Sequence, residues 1–212
     1  MTVNVTPVFL LDATTRQPVE AELRDAIQEQ QLLDWQFYWR PALLEYLRRL
    51  VAAKVPQSQW PESWHWDWQD KLAEVKGLLS HHAFCILCQN VTQAMMRLDL
   101  SSKRGRLEGQ KGQHLVYIDY LEVAPWNWEE AYADPPRYRG AGSILLGAAV
   151  EVSRQEGFKG RVALHSLLQA VPFYERCGMT NLGSDPNYKG RLPYFEMTPE
   201  QADLFLKKGT RQ

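Results

Sequence analysis

Residues 137–157 read RYRGAGSILLGAAVEVSRQEG, and the fold is decided here. Ile144, Leu145, Ala148, Ala149 and Val152 recur at helical spacing along one face, and Gly157 stands where a helix ends. At the start of that helix, Gly140 and Gly142 let the backbone approach a ligand closely. The first amides of a helix have no partner inside it and carry the positive end of its dipole, so an anion is favoured there. Arg137 and Arg139 add charge-assisted contacts, and a diphosphate is the natural guest. A dinucleotide fold would want a third glycine at position 145, where Leu145 stands, and a phosphate loop would want Gly-Lys-Ser/Thr.

Upstream, HLVYIDYLEVAP is the strongest strand signal in the chain. AFCILCQ and QAMMRLDL precede it as a hairpin turning at Asn90, and SSKRGRLEGQKGQ reads as a polar loop with no core to bury. Earlier still, VNVTPVFLL suggests a first strand. Pro18 opens an expected helix through VEAELRDAIQEQQLLDWQ, and Pro41 opens a second with Leu43, Leu44, Leu47, Leu50 and Val51 at helical spacing. A third helix is expected from Asp67 to Ser80, with a stripe of Trp68, Leu72, Val75 and Leu79. Downstream, RVALHSL is a strand, AVPFYERCG a short helix and LPYFEMT a strand. Thr198, Pro199 and Gln201 then cap a last helix that ends at Gly209. This order gives a mixed α/β sheet.

Composition narrows the classes. With 24 basic and 25 acidic residues the net charge is −1, no field for nucleic acid or an anionic membrane. No apolar run approaches the ~20 residues of a membrane span, and the N-terminus lacks the layout of a signal peptide. Three cysteines, an odd count, point to a reducing, cytoplasmic setting.

Arg-x-x-Gly-x-Gly opening a helix, after a strand ending Leu121-x-Val123-x-Pro125, resembles the acyl-CoA-binding motif of the GNAT acetyltransferases. About 35 residues on, Ala170-x-x-Phe173-Tyr174-Glu175-x-x-Gly178-Met179 resembles their second signature. The likeness covers residues 83–197. It implies one GNAT-like α/β domain over 1–212, a mostly antiparallel sheet flanked by helices, with a helical insert at 41–80. It also implies acetyl transfer from acetyl-CoA to a primary amine, small molecule or peptide, by direct attack in a ternary complex. A non-catalytic acyl-CoA sensor is the alternative.

By the same resemblance, the backbone of Leu121, Glu122 and Val123 pairs with the pantetheine arm. Arg137, Arg139, Gly140, Ala141, Gly142 and Ser143 hold the diphosphate, and Gln169 and Phe173 complete the cofactor set. Tyr174 is the acid for the departing thiolate; its bland reading is a core aromatic beside Phe173. Asp119 is the candidate base, directly or through a water, against the equal alternative of a structural pair with an arginine.

Other residues are weighed the same way. Cys85 and Cys88 spell CxxC inside a strand, where i and i+3 face opposite sides, and no second pair completes a metal site. Cys177 reads as a packed thiol or, beside an acyl-CoA site, a reactive one. His165 is a proton carrier or, more often in such a setting, hydrogen-bonded scaffold; His81 and His82 carry no role. Trp60, Trp64, Trp66 and Trp68, with Trp126 and Trp128, either bound an acceptor pocket or serve core packing or a homodimer contact. WNWEEAYADPP, acidic through Glu129, Glu130 and Asp134, is a recognition loop for a cationic amine or a solvated loop.

Overall fold

A computed structural model describes residues 3–128 and 136–209. Among the described residues nine strands join in one mixed sheet: β1 (Val5–Asp12), β2 (Pro18–Arg24), β3 (His81–Cys88), β4 (Val91–Asp99), β5 (Val116–Val123), β6 (Tyr138–Arg139), β7 (Val162–His165), β8 (Thr180–Ser184) and β9 (Pro193–Met197). Their order is β6-β1-β2-β3-β4-β5-β7-β9-β8. β5 and β7 run parallel, while β1–β2, β1–β6, β2–β3, β7–β9 and β8–β9 are antiparallel. The helices are α1 (Glu29–Asp34), α2 (Arg40–Ala52), α3 (Trp68–Ala73), α4 (Ala141–Gln155), α5 (Val171–Arg176) and α6 (Pro199–Gly209).

The helix expected from Pro18 is corrected: residues 18–24 form β2. Val19, Ala21 and Leu23 alternate with charged residues and pair across to Leu10, Val8 and Thr6. The spacing of Leu23 and Ile27, compatible with a helix, is overruled by that ladder. β6 and β8 are strands the sequence reading did not anticipate. The third helix closes at Ala73, short of Ser80, and Leu79 is 86% exposed rather than part of an apolar stripe. His81 and His82 begin β3.

The chain forms two compact units. The first comprises residues 1–78, 83–96 and 121–145. Its core gathers Leu10, Trp35, Trp39, Leu50, Trp68 and Ile86. α1 passes into α2 through a wide π turn at Trp35–Trp39, closed by the Arg40 amide donating to the Trp35 carbonyl. The turn falls just before Pro41, which has no N–H for the Phe37 carbonyl. It is docked on β4 from both sides. The Thr92 amide and hydroxyl donate to Asp34 Oδ2 at 2.9 and 2.6 Å, and Trp39 Nε1 donates to the Thr92 carbonyl at 2.8 Å. β3 turns into β4 through Gln89 and Asn90, at φ 52° and 61°, the positive values a two-residue type I′ turn demands.

The second unit comprises residues 79–82, 97–120 and 146–212. Leu146, Ala149, Val150, Val162, Phe195 and Met197 are buried in it. α4 ends as expected: Gly157, at φ 75°, donates to the Arg154 carbonyl, and the Phe158 amide donates to that of Ser153. The cap of α6 also holds, with the Thr198 amide donating to Gln201 Oε1 and the Gln201 amide to Thr198 Oγ1. The polar 101–113 segment is no free loop. Glu196, fully buried on β9, accepts from the Arg106 and Leu107 amides and from Gln110 Nε2 at 2.7, 3.1 and 2.6 Å. Three donors meet its buried carboxyl oxygens, which straps the segment down.

Candidate active site

In the first unit the anion cradle is built around Gly140. This residue sits at φ 98°, and no atom lies within 4 Å of where a Cβ would project, so the backbone is open there. Arg137, Arg139 and Ser143 are exposed around it. Arg139 belongs to β6, registered with Leu11, while Arg137 Nη2 donates to Gln89 Oε1 at 2.8 Å. The 15-residue α4 begins at Ala141, so the first-turn amides of Ala141, Gly142 and Ser143 have no acceptor within the helix. An open backbone, orphan amides and two exposed guanidiniums are a donor set that fits a diphosphate.

What aims this cradle is a group of neutral amides that the sequence reading passed over. Gln93, on β4, is 1% exposed, and its Oε1 accepts from Trp126 Nε1 and Asn127 Nδ2 at 2.9 and 3.0 Å. Asn127 Oδ1 in turn accepts from the Tyr138 amide at 2.9 Å, and the Arg137 amide donates to the Trp126 carbonyl at 2.9 Å. The residues on either side of 129–135 are thereby joined at the neck. Glu129, Glu130 and Asp134, expected to form a recognition loop, lie outside the described residues. The signal for Asn127 was an asparagine in a turn after Pro125, which marks a bend but not its distant partners.

The end of β5 is also held. Trp128 Nε1 donates to the Val123 carbonyl at 3.1 Å, and the Trp128 ring meets Tyr46 of α2 edge-on at 5.7 Å. Registered β7 partners of β5 stop at Ile118, five residues before its end. Glu122 turns its side chain into the protein. Its Oε2 accepts from Trp68 Nε1 at 2.6 Å, with the Ser63 hydroxyl and Lys71 nearby. Desolvation dominates there and raises the carboxyl to about 7.

In the second unit, Asp119 pairs with Arg97, whose Nε donates to its Oδ2 at 3.0 Å; His81 Nε2 lies 3.9 Å away. Burial still outweighs the guanidinium and lifts its carboxyl above the usual range. Tyr174, 6% exposed on α5, packs its ring edge-on against Phe173 at 5.0 Å and tilted against Phe195 at 5.8 Å. Burial pushes its phenol well up, so it stays protonated. Gln169 is exposed just ahead of α5.

His165 has both ring nitrogens engaged: Nδ1 with the Tyr117 hydroxyl at 2.6 Å and Nε2 with Asp185 Oδ2 at 3.0 Å. It also stacks on Tyr188 at 3.6 Å. Arg106 donates to Asp185 at 2.7 Å and holds that carboxyl far below the usual range. This is the scaffold role of a histidine. Cys85 and Cys88 donate to the carbonyls of Ala26 and Glu20, and burial pushes Cys85 to about 12, Cys177 to about 11 and Cys88 upward, which disfavours the thiolate at each. Among the described residues no three His, Cys, Asp or Glu side chains gather around a common point, and no helix is long and apolar enough to cross a membrane.

Comparison with known proteins bears on the fold and the family. PaiA N-acetyltransferase from Thermoplasma acidophilum, solved with coenzyme A, is 13% identical over 84% of this chain and 98% of its own, with a TM-score of 0.51. An uncharacterized protein from Bacillus halodurans is 9% identical over 94% of each chain, at a TM-score of 0.56. FeeM, an N-acyl amino acid synthase from uncultured soil microbes, is 12% identical over 86% of this chain and 92% of its own, at 0.50. At such identities the likeness is one of fold. No curated protein matches the sequence significantly. The profile of the Acetyltransferase (GNAT) family, however, matches residues 23–179, spanning both the cradle and the Tyr174 segment; the chain belongs to the GNAT acetyltransferase family.

Proposed function

We propose that this protein transfers an acetyl group from acetyl-CoA to a primary amine by direct attack in a ternary complex. The observation that carries the reading is the open backbone at Gly140 at the head of α4, flanked by Arg137 and Arg139. Coenzyme A in the fold-related PaiA structure supports it. Acetyl-CoA supplies an activated thioester. The amides of Arg139, Gly140, Ala141, Gly142 and Ser143 hold its diphosphate, with Arg137 beside them. Extended peptide groups at Leu121, Glu122 and Val123 pair with the pantetheine arm, leaving the Glu122 side chain in its buried cluster; Gln169 and Phe173 contribute contacts.

Two protons must move. Asp119 takes one from the attacking ammonium, a task eased by the raised affinity of its carboxyl for a proton. Tyr174 gives one to the departing thiolate, since its phenol is held in the acid form. Tyr174→Phe is expected to cut turnover at least ~10²-fold in a thiol-release assay with acetyl-CoA, while coenzyme A affinity stays within about threefold. Folded wild-type protein without coenzyme A affinity would overturn the assignment. Binding without thiol release across polyamines, aminoglycosides, amino acids and peptides would favour a sensor instead.

A further inference from the structure

One face of α2 and the segment leading into α3 enclose a cleft of about 310 Å³. Leu43, Leu44 and Leu47 form one wall, Trp64 and Trp66 the other. Ligand pockets run from about 300 to 1,000 Å³, so this one suits a guest the size of a single amino acid rather than a nucleotide. Leu44 and Trp64 are 48% and 37% exposed, apolar surface that a guest would take out of water.

Two charged side chains border the cleft, and they differ in how far they are committed. Asp67 caps α3, its Oδ1 accepting from the Gln69 and Asp70 amides at 2.9 and 3.2 Å. Arg40 lies with its guanidinium 5.3 Å from the centre of the Trp35 ring and, among the described residues, has no carboxylate partner. The ring anchors an exposed guanidinium, a fork of donors that matches a carboxylate bidentately.

We propose that this cleft binds the acceptor and that the acceptor is an apolar α-amino acid. Its side chain lies between the leucines and tryptophans, and its carboxylate sits on Arg40. The inference rests on the acetyl-transfer reading above. In the reaction the amine nitrogen forms a bond to the acyl carbon and the thioester C–S bond breaks; the nitrogen loses a proton and the thiolate gains one.

The test uses the purified chain, acetyl-CoA, and leucine, phenylalanine and tryptophan set against their carboxamides, with calorimetry for binding and thiol release for turnover. The free acids are expected to show KM values at least ~10-fold below those of the amides, the scale of one charge-assisted contact. Arg40→Ala should remove that advantage through KM, leaving kcat within about twofold, and Arg40→Lys should restore part of it. Leu44→Trp, filling the cleft at an exposed position, should abolish binding of the acids without changing coenzyme A affinity or Tm. The proposal fails if wild-type protein binds acetyl-CoA and acetylates other amines yet treats acids and amides alike, or if Arg40→Ala leaves KM unchanged. Arg40-dependent binding of the acids without any coenzyme A affinity would sink the transfer reading and keep the cleft.

Discussion

Asp119 and Glu122 stand three residues apart on β5, and burial raises the proton affinity of both carboxyls. Their surroundings differ in kind. Asp119 faces the Arg97 guanidinium and His81 and keeps a side-chain exposure of 17%. Glu122 faces an indole N–H and a serine, with Lys71 nearby, and is buried. A guanidinium can hold a buried carboxylate charged and ready to accept a proton; an indole can hold it in place without neutralising it. The first arrangement suits chemistry. The second suits anchoring the Trp68 helix against β5.

The comparison breaks most visibly at Asp119. Asp119→Asn should lower kcat by ~10²-fold while coenzyme A binding persists. A base must be deprotonated to act, so the wild-type rate should rise with pH through a value above the ordinary aspartate range, and the variant should lack that limb. A variant with wild-type turnover would reduce Asp119 to a structural partner of Arg97.

Glu122 makes the opposite prediction, in stability rather than rate. Its folded carboxyl, at about 7, binds a proton more tightly than the usual 4.5, so folding gains from it fully below pH 4.5. That gain is lost as pH rises to 7, a change of about 3 kcal/mol. Glu122→Gln should flatten this part of the stability profile, measured by urea unfolding from pH 4.5 to 7.5, with kcat within about threefold of wild type. A profile unchanged by the substitution would show that the indole and Lys71 compensate the charge.

The smallest effect is expected where no charge is involved. Asn127→Ala removes the bridge between Gln93 and the Tyr138 amide and so loosens the approach to Gly140. Coenzyme A Kd should rise roughly tenfold with little pH dependence, since neutral amides do not titrate over this range. Isothermal calorimetry at pH 6 and pH 8 checks both statements.

Much of the fold was legible in local pattern. The stripe of α4 and its glycine stop, the capping residues of α6, the 3–4 hairpin and the long fifth strand are set by neighbours in sequence, and all stand where they were read. Pro18–Arg24 was misread because Leu23 and Ile27 satisfy a helical spacing while Val19, Ala21 and Leu23 satisfy a strand. Only the partner strand β1 chooses between the two. Of the residues around the candidate site, the motifs pointed to the cradle and to Tyr174, but not to Gln93 or Asn127. A polar residue that will be buried is indistinguishable in sequence from one on the surface.

By itself, then, the chain's order of residues determined the family and pointed to the proposed anion-binding helix start and phenol, because these depend on glycine, arginine and tyrosine at short, fixed spacings. Tertiary structure alone decided which carboxylate meets a guanidinium and which an indole. It also decided that a run of hydrophilic residues is strapped to buried Glu196, and that Arg40 at an apolar cleft lies over the Trp35 ring. Those outcomes depend on which groups meet after burial, and the desolvation that sets their chemistry exists only in the folded molecule.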